Sequence, residues 1–308
     1  MLILDDKTIF GAISYEEAIK AVEEAMVCYN SGDFLMPDRM HIDMNQNTLL
    51  LMPCVAGHYF GTKLVSVFPN NVAQDLPAIM GTMMLNDGKT GQPLAIFDAA
   101  SLTAIRTGAV GGVAVKYLAP EVATTLGLVG IGVQGLQQAF FACTSRNISS
   151  LFFLNRNAEK AKAFTDRFSQ EFPNVKIHPM DTVEEIIRNV EIVITATNSA
   201  DPVLPDNAAL LVGKTYIAVG SYKPTMREMP DAFFSLIDTI YVDTTLAIKE
   251  SGDVHFPLHN NLVNPENIKT LGKRIIENST PPTGTIFFKS VGMGLFDVMT
   301  AKTIYEKL

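Results

Sequence analysis

Three cations stand where their neighbours give no reason for charge. Lys63 lies inside Gly61-Thr62-Lys63-Leu64-Val65-Ser66-Val67-Phe68, a run otherwise apolar or small. Arg106 lies in a Gly- and Ala-rich apolar segment that opens at Ser101, and Arg39 follows Pro37-Asp38 just ahead of both. A single cation of this kind either snorkels to the surface or lines a pocket. Two embedded in apolar elements point to a pocket for an anionic substrate, with the guanidinium groups holding a carboxylate. Burial disfavours an ammonium, so Lys63 is expected to titrate low enough to act as acid or base near neutral pH.

A second constellation is Gly130-Ile131-Gly132-Val133-Gln134-Gly135, directly after an apolar run and directly before a helical pattern. In a G-x-G-x-x-G turn the first glycine allows the sharp turn, the second admits a pyrophosphate, and the third brings helix close to strand. Gly130, Gly132, Val133 and Gln134 are therefore assigned to a dinucleotide. The end of the next strand faces the adenosine ribose, where a carboxylate would favour NAD and repel the phosphate of NADP. The sequence there is Leu154-Asn155-Arg156-Asn157, with no carboxylate until Glu159. Asn155 is suited to hydrogen-bond the ribose or its phosphate, and Arg156 to stack on adenine while pairing with the phosphate, so NADP(H) is favoured over NAD(H). The other reading makes Arg156 a solvated cation, with NAD used through Asn155. Gly88-Lys89-Thr90 and Gly213-Lys214-Thr215 lack the earlier glycine of a P-loop. His255 and His259 have metal-like spacing, but Pro257 between them is expected to break the helix that would align them, and no metal is expected.

The elements that must position these residues follow from periodicity. Ser14 and Glu17 form a capping box ahead of a helix near 14–30. Four stretches of strand character follow at 49–55, 61–68, 79–86 and 94–98, the last pair joined by Asp87-Gly88-Lys89-Thr90-Gly91, which suits a hairpin. An antiparallel sheet with a helix on it is predicted, then a helix over 102–118 opened by Ser101 and ended by Pro120. From residue 126 short apolar runs alternate with helical ones, with strands expected at 126–129, 151–154, 175–177, 192–196, 216–219 and 240–242, the mark of a parallel sheet covered on both faces. The fold class is thus α/β, a doubly wound Rossmann domain over 116–293, with an α+β domain made of 1–115 and the terminal helix within 294–308.

The 308 residues, 47% of them hydrophobic and 18% charged, can bury a large core, and the net charge of −8 leaves no basic surface for nucleic acid. No apolar run is long enough to cross a bilayer, and three widely spaced cysteines suggest no disulfide framework. A cytoplasmic protein with no nucleic-acid or membrane partner is expected.

Ile105-Arg106-Thr107-Gly108-Ala109, the 130–135 turn, Gly220-Ser221-Tyr222-Lys223-Pro224 with Arg227-Glu228, and Lys289-Ser290-Val291-Gly292 with Asp297 resemble the ornithine cyclodeaminase/μ-crystallin family, in the right order along essentially the whole chain. The resemblance implies a homodimer whose first domain forms the dimerising sheet and substrate pocket beside a Rossmann domain. It implies an NAD(P)H-dependent oxidoreductase acting on the C–N bond of a small amino or cyclic imino acid, as a ketimine reductase or amino-acid dehydrogenase. Alternatives within the family are an ammonia-releasing ornithine cyclodeaminase and a μ-crystallin-like NADPH-dependent binding protein. By motif, Arg39 and Arg106 bind the substrate carboxylate and Lys63 contacts it or exchanges the proton. Thr107 approaches the cofactor phosphates, and Thr197, Gly220 and Gly292 line the nicotinamide side. Where cyclodeaminases carry an aspartate, two residues before the proline of the Gly220 loop, this chain has Tyr222, placed in the substrate site. A phenol is no base at neutral pH without a large shift, which weakens the cyclodeaminase reading.

Overall fold

The computed structural model describes residues 1–154 and 157–308, and of Val72 the backbone. Asn155 and Arg156, assigned above to the adenosine end of the cofactor, lie outside the described residues. The chain divides into two compact units, Met1–Arg106 with Met293–Leu308, and Thr107–Gly292.

The first unit opens with β1 (Leu2–Leu4), α1 (Asp6–Ala12) and α2 (Tyr15–Ser31). The capping box forms as the sequence dictates: Glu17 N donates to Ser14 Oγ at 3.2 Å and Ser14 N donates to Glu17 Oε2 at 2.8 Å. Ala18, Ala21, Val22, Ala25 and Met26 bury one stripe of α2, and Gly32 ends it in the left-handed region. Then come β2 (Phe34–Leu35), β3 (Met40–Met44), β4 (Asn47–Ala56), β5 (Tyr59–Val67), β6 (Ile79–Asp87) and β7 (Pro93–Asp98). The sheet order is β1-β7-β6-β5-β4-β2, with β3 also on β4. A two-residue loop, Gly57-His58, joins β4 to β5, with Gly57 at φ 57° and Ala56 paired with Tyr59. The expected β6–β7 hairpin is antiparallel, its turn fastened by Asp87 Oδ1, which accepts from the backbone of Lys89 and Thr90.

Side chains alternate across β4, β5 and β6 up to Leu85, where the pairing of β6 with β7 shifts register. Met52, Cys54, Gly61, Lys63, Met83 and Leu85 point to the covered face, whereas Val55, Leu64, Met80 and Met84 stand exposed on the other. The next helix, α3 (Ala99–Leu118), starts earlier than the sequence indicates. Asp98 Oδ1 accepts from the Ser101 backbone at 2.8 Å and from its hydroxyl at 2.6 Å, so Asp98 caps the helix and Ser101 sits inside its first turn.

The second unit runs β8 (Thr125–Val129), α4 (Val133–Ser145), β9 (Ser150–Leu154), α5 (Ala158–Glu171), β10 (Lys176–Pro179), α6 (Val183–Asn189), β11 (Ile192–Thr195), α7 (Ala208–Leu211) and β12 (Thr215–Ala218). It continues with β13 (Ile240–Val242), α8 (Ala247–Glu250), α9 (Gly252–His259), β14 (Ile268–Thr270), α10 (Leu271–Glu277) and β15 (Ile286–Lys289). All eight strands are parallel, in the order β10-β9-β8-β11-β12-β15-β13-β14. This is a Rossmann sheet, whose order reverses between β8 and β11. The six expected strands are present. β14 and β15 are additional to these; β15 is wholly buried between β12 and β13. Pro257 does not break α9 as expected: the helix continues to His259, and the His255 and His259 rings stack with centroids 5.8 Å apart.

The chain then returns to the first unit as α11 (Gly294–Tyr305), which packs on α2 and across the covered face of β4, β5 and β6.

Candidate active site

The covered face of the first unit carries an ionic cluster. Lys63, at the centre of β5 between Met52 and Met83, is 2% exposed. Its Nζ lies 3.0 and 2.9 Å from the two carboxylate oxygens of Asp297 and donates to Thr103 Oγ1 at 3.3 Å. Asp297 comes from the first turn of α11 and is fully buried. One helical turn beyond Thr103 on α3, Arg106 donates from Nε to Asp297 Oδ1 at 3.0 Å. That is the sole side-chain hydrogen bond of Arg106 among the described residues, which leaves the terminal nitrogens of its planar fork to pair with a second carboxylate.

Two cations against one buried anion leave a positive excess, and the ammonium feels it. Burial pulls Lys63 from its ordinary 10.5 down to about 8, Arg106 presses the same way, Asp297 opposes by attraction and hydrogen bonding, and Arg39 adds a weaker repulsion. The three cations singled out in the sequence therefore share one electrostatic neighbourhood. A lysine at about 8 is mostly protonated at neutral pH yet gives up its proton at modest cost, the property required of a general acid.

In the second unit the glycine turn has the shape its spacing demands. Gly130 adopts φ 99°, and a Cβ there would meet the Ala196 carbonyl oxygen at 2.5 Å, so a side chain is barred twice. At Gly135 a Cβ would collide with the carbonyl of Gly130, which is how the third glycine lets α4 close on β8. A Cβ on Gly132, the N-cap of α4, would meet nothing within 4 Å among the described residues. The helix thus presents unencumbered backbone, with Val133 exposed and the Gln134 side-chain oxygen buried without a hydrogen bond. Bare N–H groups at a helix start suit a pyrophosphate, and the residues present fit a dinucleotide. Thr107 is 9% exposed and receives Gln138 Nε2 on its carbonyl at 2.7 Å.

The strand ends on the other side of the reversal are held by buried carboxylates. Glu228, fully buried, accepts from Thr197 N and Oγ1 on Oε1 and from Gly220 N on Oε2, all at 2.9 Å. Asp253 accepts from the backbone of Glu228 at 2.8 Å and of Met229 at 2.9 Å, and from Ser221 Oγ at 2.8 Å. Lys289 Nζ lies 4.0 Å from Glu228 and 3.7 Å from Asp253. Burial pushes the Glu228 carboxyl up, and Lys289 restrains it. Asp243 draws in the segment after β15, accepting from Ser290 Oγ at 2.6 Å and Gly292 N at 2.7 Å, while burial raises its carboxyl too. Gly292 turns with φ 74°. Thr197, Gly220 and Gly292 thus sit on loops fixed from below.

Tyr222, also in this unit, is 51% exposed, with Lys223 Nζ 5.7 Å from its ring centre. Sequence reasoning gave no role to Asp297, Glu228, Asp243, Asp253 or Lys289. Asp297 and Glu228 stand in the quoted motifs, but a carboxylate in a helix or loop reads as a solvated charge until its partners are known. Among the described residues no three His, Cys, Asp or Glu side chains gather as a metal site, and no helix is long and apolar enough to cross a membrane.

A Rossmann unit with an open glycine turn, together with a unit bearing a lysine–carboxylate–arginine cluster, defines a dinucleotide-fold protein equipped for acid–base work on an anion. Residues 2–308 match the ornithine cyclodeaminase/mu-crystallin family, and the chain belongs to it. A Delta(1)-pyrroline-2-carboxylate reductase of Bacillus cereus is 33% identical over 321 residues, covering 100% of this chain and 96% of the relative. The solved structure of the Thermococcus litoralis Delta(1)-pyrroline-2-carboxylate reductase, in complex with NADH and L-proline, superposes with a TM-score of 0.92 at 30% identity over 100% of this chain and 97% of that one. An archaeal alanine dehydrogenase dimer with bound NAD gives 0.90 at 29% identity, covering 100% and 95%.

Proposed function

We propose that this chain is an NAD(P)H-dependent oxidoreductase of the C–N bond of small α-imino and α-amino acids, with reduction of a cyclic imino acid such as pyrroline-2-carboxylate as the reaction that fits best. The observation that carries this reading is the Lys63–Asp297–Arg106 cluster, an acid of tuned strength beside an unspent guanidinium fork. The likeness of the whole chain to reductases of this chemistry supports it.

The dinucleotide would supply the hydride when bound; Gly130, Gly132, Val133, Gln134 and Thr107 would hold its phosphates, Asn155 and Arg156 its adenosine end, and Thr197, Gly220 and Gly292 its nicotinamide end. Arg106 and Arg39 bind the substrate carboxylate, with Tyr222 as a further contact. Lys63 gives its proton to the imine nitrogen as the carbon is reduced, and Asp297 keeps the ammonium populated and aimed. NADP(H) is the favoured form because no carboxylate stands between Leu154 and Glu159. Against this, Leu154 shares a cavity of about 310 Å³ with Asp181 and Glu184, two carboxylates that oppose an added phosphate. The measured ratio of kcat/KM for NADPH and NADH decides between the two forces. The exposed apolar face bearing Val55, Leu64, Met80 and Met84 is the surface on which a homodimer would form.

The test is the loss of nicotinamide absorbance with NADPH or NADH against pyrroline- and piperideine-2-carboxylate. Net oxidation with formation of the cyclic amino acid is expected. Ammonia release from ornithine without net cofactor consumption would make the chain a cyclodeaminase, and tight binding without turnover a binding protein; either result overturns the reading.

A further inference from the structure

A dinucleotide across a Rossmann sheet lies over the carboxyl ends of the strands, with its pyrophosphate at the first turn and its adenosine ribose at the end of the second strand. Here those places are the β8–α4 turn and the end of β9. The other half would face the ends of β11, β12 and β15, where Thr195, Ala218 and Lys289 stand at one level across three neighbouring strands. Beneath this surface lies a cluster with no part in the chemistry described so far: Glu228, Asp253 and Lys289, each fully buried.

Glu228 is the member that reaches upward. Its two oxygens divide between two loops, Oε1 taking both donors of Thr197 after β11 and Oε2 taking the amide of Gly220 after β12. The approach is so close that a Cβ on Gly220 would collide with Glu228 Oε1 and with the Thr197 carbonyl. Asp253 in turn anchors the backbone of Glu228 and Met229. Among the described residues Lys289 Nζ makes no hydrogen bond and acts by charge alone, offsetting two buried carboxylates that would otherwise repel each other. An uncharged side chain of the same shape cannot replace Glu228, because the amide nitrogen of glutamine would face N–H donors on one of the two loops.

We propose that Glu228 is a positioning residue for the nicotinamide half of the cofactor: it ties the loop after β11 to the loop after β12, so that Thr197 and Gly220 present one fixed surface, while the adenosine half binds without it. This rests on the dinucleotide reading above.

The experiment compares wild type with Glu228→Gln by two titrations, the fluorescence of NADH or NADPH and the calorimetric binding of ADP-ribose or its 2′-phosphate, which lack nicotinamide. The variant is expected to bind the reduced dinucleotide at least tenfold more weakly and the nicotinamide-free probe within about twofold of wild type. Glu228→Asp keeps the charge opposite Lys289 but is one methylene short of spanning both loops, so it should show the same split to a smaller degree. Equal loss for both ligands, no loss for either, or failure of both variants to fold would each overturn the proposal. A wild type that binds no reduced dinucleotide would instead overturn the functional reading beneath it.

Discussion

Replacing Asp297 by asparagine keeps the shape of the buried group and deletes its charge, which isolates what the carboxylate does for Lys63. Asp297 contacts the ammonium with both oxygens, at 3.0 and 2.9 Å. A unit charge at about 4 Å in an effective dielectric of about 20 contributes about 4 kcal/mol. The asparagine dipole recovers part of this, leaving about 3 kcal/mol, a factor of about 100 in the protonation equilibrium. With Lys63 at about 8, ammonium outnumbers amine by about ten to one at pH 7. In the variant the ratio inverts to about one to ten, so imine reduction at pH 7 should fall about tenfold and recover as the pH is lowered. The assay is kcat/KM for pyrroline-2-carboxylate at saturating NADPH from pH 5 to 9. A profile of unchanged shape, merely scaled down, would refute the claim that Asp297 works through the Lys63 proton.

Four other outcomes follow from the same geometry. Gly135→Ala should abolish binding of the reduced dinucleotide, because its methyl would strike the Gly130 carbonyl and push α4 off β8; fluorescence titration measures this. Arg106→Lys should raise KM for the imino acid about tenfold or more while changing kcat less, since a lysine has no fork to grip a carboxylate through two bonds. Lys63→Met should flatten the pH dependence of stability near pH 8 to 9. The folded chain holds Lys63 at about 8 against 10.5 unfolded, so the penalty of the buried ammonium is full below pH 8 and is relieved as pH rises, worth about 1 kcal/mol over the first pH unit; above pH 9, Cys54 and Cys143, pushed from 9.0 to about 12, act in the opposite sense. Urea melts of both proteins at pH 8 and 9 give the difference. Leu64→Glu, on the exposed face of β5, should leave the fold intact and yield a monomer by analytical ultracentrifugation, against the dimer proposed for the wild type.

What could be read beforehand was whatever is encoded locally. The α2 capping box, the strand character of β4 to β7 and the glycine turn are each set within a few residues, and each formed as its chemistry requires. A lysine in an apolar strand also announces itself, because burying it is costly enough to demand a reason. Its counter-charge does not. Asp297 lies 234 residues away in a helix whose sequence gives no sign that the acid faces inward. Glu228, Asp243 and Asp253 are hidden in the same way, each a plain acidic residue in a loop or short helix until the sheet order brings strand ends to it. β1, of three residues, pairs in parallel with β7, which lies about ninety residues further along the chain, a tertiary partner that its own few residues do not reveal. Pro257 shows the reverse, a local rule overridden in a helix of eight residues.

The strand that carries Lys63 inward carries Leu64 outward, and both orientations are set by the length of one tight connection, Gly57-His58. Adding or deleting a single residue there would exchange the two, thrusting an ammonium into open solvent and a branched hydrocarbon against Asp297. The side chains that line the ionic cluster and those that form the exposed apolar face are thereby fixed together. Natural variation in loop length should be absent from this hairpin.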